Sequence, residues 1–201
     1  MDRREALKLS LLAGAGLVTG QANAQQACPG DGTPMQFIPK RPADPQANEN
    51  DIEKYPKCPY CGMDRKQYHH SRMLLQYSDD LADGTCSLHC SAISLSLNVD
   101  REPKMIWVGD NAAAGDIKPL VEVDKATFLI GSKIPGVMTA NSKVAYGTED
   151  AAKAAQAAQG GELAKFDQAL LVAYTDMSKD VSRIRKMRAE RKRKMMEQQK
   201  G

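Results

Sequence analysis

Lys143-Val144-Ala145-Tyr146-Gly147-Thr148-Glu149-Asp150-Ala151-Ala152-Lys153-Ala154-Ala155-Gln156-Ala157-Ala158-Gln159-Gly160-Gly161-Glu162-Leu163-Ala164 is the stretch that decides the fold class. Its first four residues read as a strand. The span from Glu149 to Gln159 is built of good helix formers, alanine above all. The glycine pair at 160–161 supplies a stop, and residues 162–164 read as a short returning strand. Upstream, residues 121–124 and 126–130 carry strand character. The same order of elements precedes them. Met73–Tyr77 reads as a strand and Asp83-Gly84 as a turn signal. Residues 87–99 read as a helix, with Leu88, Ala92, Ile93, Leu95 and Leu97 apolar and Thr85 or Ser87 available as its cap. Residues 104–108 form another strand. Residues 170–174 suit helix or strand. The expectation is an α+β domain made of two small ββαβ-type units packed as one, over residues 55–176.

The flanks differ from this centre. Residues 1–24 place Arg3-Arg4 and Leu7-Lys8 ahead of an apolar run and end in Ala22-Asn23-Ala24. That is the order of a secretory signal, and the arginine pair gives it a twin-arginine look. The apolar run is short for a membrane span. Gln25 and Gln26 stand where a lipoprotein signal before Cys28 needs aliphatic or small residues. A periplasmic protein without a lipid anchor is expected. Residues 25–54, punctuated by prolines, read as a disordered linker. Residues 177–201 read as a basic helical tail with a thin apolar stripe at Val181, Ile184, Met187 and Met195. The tail holds ten basic and three acidic side chains, and the leader three and two. With a total of +3, the middle of the chain is therefore −5. The tail suits an anionic membrane or an acidic partner surface. Nucleic acid is not an expected partner outside the cytoplasm.

Chemistry concentrates in sulfur. Cys58-Pro59-Tyr60-Cys61-Gly62-Met63 joins a CxxC pair to a methionine, and Cys86-Ser87-Leu88-His89-Cys90 follows 25 residues after Cys61. Four chemistries use such thiols. Cys-Pro-Tyr-Cys matches a dithiol oxidoreductase tetrapeptide, which needs a buried strand before it and a helix at it. The polar residues before Cys58 and the glycine after Cys61 disfavour both. CxxC followed by CxxxC suits a structural zinc site. Disulfides suit an oxidising compartment. A soft-metal site is the fourth reading, and Met63 favours it, because a thioether is a poor zinc ligand and a good one for Cu(I). Cys86, His89 and Cys90, at i, i+3 and i+4, share one helix face. Met138, in a Gly-Val-Met loop, is a further candidate thioether. Candidate metal residues are thus Cys58, Cys61, Met63, Cys86, His89, Cys90 and Met138. No general base, nucleophile or phosphate loop stands out, so no catalysis is expected.

Together, Cys58-x-x-Cys61-Gly62-Met63, the segment from Gly84 to Cys90, the Gly136-Val137-Met138 loop and the alanine-rich helix closed by Gly160-Gly161 resemble the NosL family, over about residues 55–175. The resemblance implies two ββαβ units. It implies Cu(I) held through the element that maps to Cys61 and Met63, with a histidine or further ligand completing the site. It implies a periplasmic carrier delivering copper to nitrous oxide reductase or to membrane-bound maturation machinery. A structural zinc-binding interaction module is the alternative, and a dithiol oxidoreductase a more distant one.

Overall fold

The computed structural model describes residues 37–199. The leader, Cys28 and the first part of the linker lie outside them. The ordered domain begins earlier than residue 55. Ala47 and Asp51 are buried, and Asp51–Lys54 forms a single helical turn, α1. Residues 37–54 therefore do not behave as the expected disordered linker. What the sequence hid is that Asp51 is the carboxylate partner of two buried arginines, which draws this polar segment onto the domain.

The first unit runs β1 (Met73–Tyr77), β2 (Ala82–Thr85), α2 (Leu88–Leu97) and β3 (Pro103–Gly109), with β4 (Leu120–Glu122) added at the edge. The second runs β5 (Thr127–Ile130), β6 (Lys143–Tyr146), α3 (Glu149–Gln159) and β7 (Glu162–Ala164). Each unit is ββαβ, as expected. In each the first strand lies in the middle, giving sheet orders β2-β1-β3-β4 and β6-β5-β7, and every pairing is antiparallel. Both central strands are buried along their whole length. That explains why neither shows the polar–apolar alternation of a half-exposed strand.

Three local readings change. Asp83-Gly84 is not a turn but the middle of β2. The reversal occurs at residues 78–81, where Asp80 adopts φ 59°. Gly84 is a glycine for a packing reason, since a Cβ there would lie 2.5 Å from Tyr55 Cβ and 2.7 Å from Arg65 Nη1. Residues 121–124 split into the end of β4 and a 3-10 turn at Val123–Lys125. Ser87 occupies the N-cap position of α2 without capping through its side chain, and the Thr85 hydroxyl pairs instead with Ser91 at 2.7 Å.

One apolar cluster joins the units. Met73, Leu88, Ala92 and Val108 from the first meet Phe128, Ile130 and Ala145 from the second. Beside it, Asp110 bridges to Ala145, and its carboxylate accepts the Gly147 N–H at 2.6 Å. Ala169 and Ala173 complete the cluster from α4, a helix of 33 residues spanning Phe166–Gln198. Residues 170–174 are thus helical, and the basic tail is not a separate element. It continues α4, with Asp180 still buried and every described residue from Arg185 onward exposed. No described helix is long and apolar enough to cross a membrane.

Arg65 ties these parts together from a fully buried position. Its Nε donates to Thr85 O, its Nη1 to Asp51 O and Tyr55 O, and its Nη2 to Asp51 Oδ2 and Met73 O. All five guanidinium N–H groups are used. Arg72 donates to both oxygens of Asp51. Arg65→Met should therefore lower unfolding stability by about 3–5 kcal/mol in urea titrations, the cost of stranding a buried partner. Gly84→Ala should lose about 1–3 kcal/mol by overpacking.

Candidate metal centre

Cys58 and Cys61 sit on a tight loop. The Cys58 N–H donates to Met63 O and the Gly62 N–H to Cys58 O, both at 2.9 Å, and Lys57 bridges to Asp64 below. Gly62 takes φ 78°, which a side chain would resist. The loop faces the start of α2, where Cys86 precedes the helix and Cys90 lies in its first turn. Tyr60 fastens the loop across the gap, donating its hydroxyl to Asp83 Oδ2. Ser94 donates to the same oxygen at 2.7 Å and pairs with the Tyr77 hydroxyl. Burial pushes the Tyr60 and Tyr77 phenols upward, so both remain protonated.

The result is a cluster of four free thiols. The Sγ atoms of Cys58, Cys61, Cys86 and Cys90 all lie within 4.8 Å of one another. Cys61 and Cys86 are 3.4 Å apart, and Cys86 and Cys90 are 3.7 Å apart. A tetrahedral metal with bonds of about 2.3 Å needs sulfurs about 3.8 Å from one another. The thiols are already close to that spacing. Cys58, Cys86 and Cys90 are buried, whereas Cys61 is partly exposed.

The four thiols are electrostatically unequal. Hydrogen bonds from Cys61, then Cys86 and Cys90, hold the Cys58 thiol far below its ordinary value. In Cys61 the contact with Cys58 pushes upward, but those with Cys86 and Cys90 outweigh it and the thiol is also lowered. Cys86 and Cys90 are pushed well up, chiefly by their contacts with Cys58 and then Cys61. Among the metal-free thiols, Cys58 is thus the one whose contacts most favour the thiolate.

Met63 and Met138 pack against the cysteines as partly buried neighbours. Met138 reaches them from the second unit on a loop where it takes φ 62°. Cys61, Met63 and Met138 line a cleft of about 360 Å³, closed on another side by Met187, Arg188 and Arg191 of α4. Sequence reasoning missed this contribution of α4. Its signals were Ile184 and Met187, read there as part of an apolar stripe. A larger cleft, about 470 Å³, is lined by Phe37, Arg41, Tyr55 and Tyr60 and offers no sulfur.

His89 has a different neighbour. It is buried, with Nδ1 3.6 Å from Asp180 Oδ2, and it stands outside the four-thiol group. Burial lowers its basicity, with Asp180 opposing. His69 accepts the Lys118 N–H at 3.2 Å and also lies away from the sulfurs. The Cys-Pro-Tyr-Cys tetrapeptide has neither a strand before it nor a helix at it, so the scaffold of a dithiol oxidoreductase is missing.

Residues 49–170 match the family model NosL. The chain belongs to the NosL family. The match contains all four clustered cysteines, Met63, His89 and Met138, and ends just inside α4. No curated protein matches the sequence. Among solved structures, the copper chaperone NosL from Shewanella denitrificans is similar at 23% identity and a TM-score of 0.49, over 63% of this chain and 96% of that one.

If His89 serves packing, His89→Gln should leave metal stoichiometry unchanged. The sign of its pH effect follows from its lowered basicity. The unfolded chain takes up the proton first, so stability contributed by neutral His89 is present above about pH 6.5 and lost as pH falls below it. His89→Gln should flatten that acid limb in denaturant titrations at pH 5.5 and 7.5.

Proposed function

We propose that this NosL-family protein is a periplasmic Cu(I) carrier, exported by its twin-arginine-like leader, that hands copper to nitrous oxide reductase or to its membrane-bound maturation machinery. We read it as a chaperone and not as an enzyme. The observation that carries the reading is the graded sulfur set. Three buried cysteines and one partly exposed cysteine gather at metal-bonding distance, and two thioethers stand on the exposed side.

Each part has a use in a carrier. Thiolates of Cys58 and Cys61 satisfy the charge of Cu(I). Buried Cys86 and Cys90 complete a soft surrounding from the helix side. Copper at Cys61 is reachable through the cleft, so an incoming ligand can bond before an outgoing one leaves. Met63 and Met138 give the ion neutral, weaker sulfur donors during that exchange.

A second reading rests on the same cluster. Four cysteines in mutual contact, three of them buried, are also a donor set for structural zinc. Here copper is favoured by Met63 and Met138, thioethers that pack against the cysteines and are poor zinc ligands.

Anaerobic titration of the reduced protein with Cu(I) and separately with Zn(II) decides between them. Cu(I) should bind several orders of magnitude more tightly than Zn(II), and Cys61→Ser should lower Cu(I) affinity at least about tenfold, a loss of about 1.4 kcal/mol or more. Met63→Leu should weaken Cu(I) binding and leave zinc binding unaffected. Tight zinc, feeble Cu(I) and unfolding on chelation would establish the structural-zinc reading instead.

A further inference from the structure

The cleft beside Cys61 has a charge that the copper site itself does not explain. Arg183, Arg188 and Arg191 line it, and none of its lining residues is acidic. Ile184, Met187, Arg188 and Arg191 are spaced i, i+3, i+4 and i+7, so one face of α4 looks into the cleft. Arg183 is engaged, lying 3.5 Å from Asp180 Oδ1 and donating to Met187 Sδ at 3.6 Å. Arg188 and Arg191 are exposed and make no ion pair among the described residues, although Arg193 on the same helix pairs with Glu197. These residues lie beyond position 170, outside the part that matches the family.

Two uncompensated guanidiniums repel a bare cation. They attract carboxylates. We propose that the cleft is a docking mouth for an acidic protein segment of the copper-exchange partner, which Arg188 and Arg191 guide onto Cys61. The proposal rests on the copper-carrier reading. An acidic segment fits better than a lipid surface, because these arginines border a concavity that opens on Cys61, and a flat array of headgroups cannot follow it inward. Met187, 53% exposed on the same face, gives the incoming segment an apolar, polarisable contact beside the charges. Docking there brings the partner's ligands to the one cluster thiol that is partly exposed.

The test uses the full mature chain loaded anaerobically with Cu(I). Two synthetic peptides share one Cys-x-x-Cys copper-binding core, flanked by glutamates in one and by glutamines in the other. Stopped-flow transfer to the glutamate peptide should be about tenfold faster at low ionic strength, and the advantage should collapse in about 0.5 M salt. Arg188→Gln/Arg191→Gln should abolish the advantage while leaving Cu(I) affinity and the rate to the glutamine peptide unchanged. Equal rates for the two peptides with the unmodified protein would overturn the proposal, as would an advantage that survives in the variant. So would equal peptide rates together with arginine-dependent binding to phosphatidylglycerol vesicles, which would assign the helix to the membrane. Copper-free peptides binding to the metal-free protein, followed by fluorescence anisotropy, read the same preference independently. If the chain took up no Cu(I), the carrier reading would fail, while this arm would still decide whether an acidic segment docks.

Discussion

The salt-bridged guanidinium of Arg65 is the point through which the molecule is organised. It lies two residues after Met63, the end of the loop that carries Cys58 and Cys61, and it grips the carbonyl of Thr85, the residue before Cys86. The two cysteine pairs meet because one side chain fixes the segment after the first pair against the segment before the second. The same group holds Met73 O at the start of β1 and the Asp51 carboxylate from the N-terminal segment. Arg65 and Arg72 together place two positive charges against one carboxylate. Burial and the neighbouring Arg72 lower the basicity of Arg65, while Asp51 and, to a smaller extent, Cys58 support its charge. Scaffold and metal site therefore share one charge balance.

From that anchor the sulfurs run outward in order of accessibility. Cys86 and Cys90 are fully buried at the start of α2, Cys58 is held by the loop backbone, Cys61 touches the cleft, and Met187 stands at its edge. The gradient matches what a carrier requires, with firm retention at one end and ligand exchange at the other. The second unit adds little to retention. It supplies Met138, and its sheet supports the loop that presents it.

The elements of regular composition were legible in the chain. The boundaries Glu149–Gln159 and Glu162–Ala164 follow from alanine richness and a glycine pair, and β1 and β6 from short runs of strand-forming residues. The pairing of the two cysteine motifs could be anticipated from ligand type and helical spacing. What failed to show were decisions taken by distant partners. Asp51 looked like one more polar residue of a linker until Arg65 and Arg72 claimed it. Gly84 looked like a turn residue, because nothing local shows a guanidinium lying against a strand. His89 shared a helix face with two cysteines, yet its Nδ1 faces Asp180, 91 positions along the chain. The cleft-facing arginines were visible only as net charge, because the sequence does not say over what a long helix passes.

The two ββαβ units do not hold the site equally, and this bears on the order in which the protein assembles. All four clustered thiols fall between residues 58 and 90, around a hairpin of adjacent strands, so the loops that must close to gather them are short. Short loops close at small entropic expense and early. Met138 and α4 come from the later half of the chain. A chain made from its N-terminus therefore has the four thiols within reach of one another before Met138 and the α4 residues that line the cleft beside Cys61 are made.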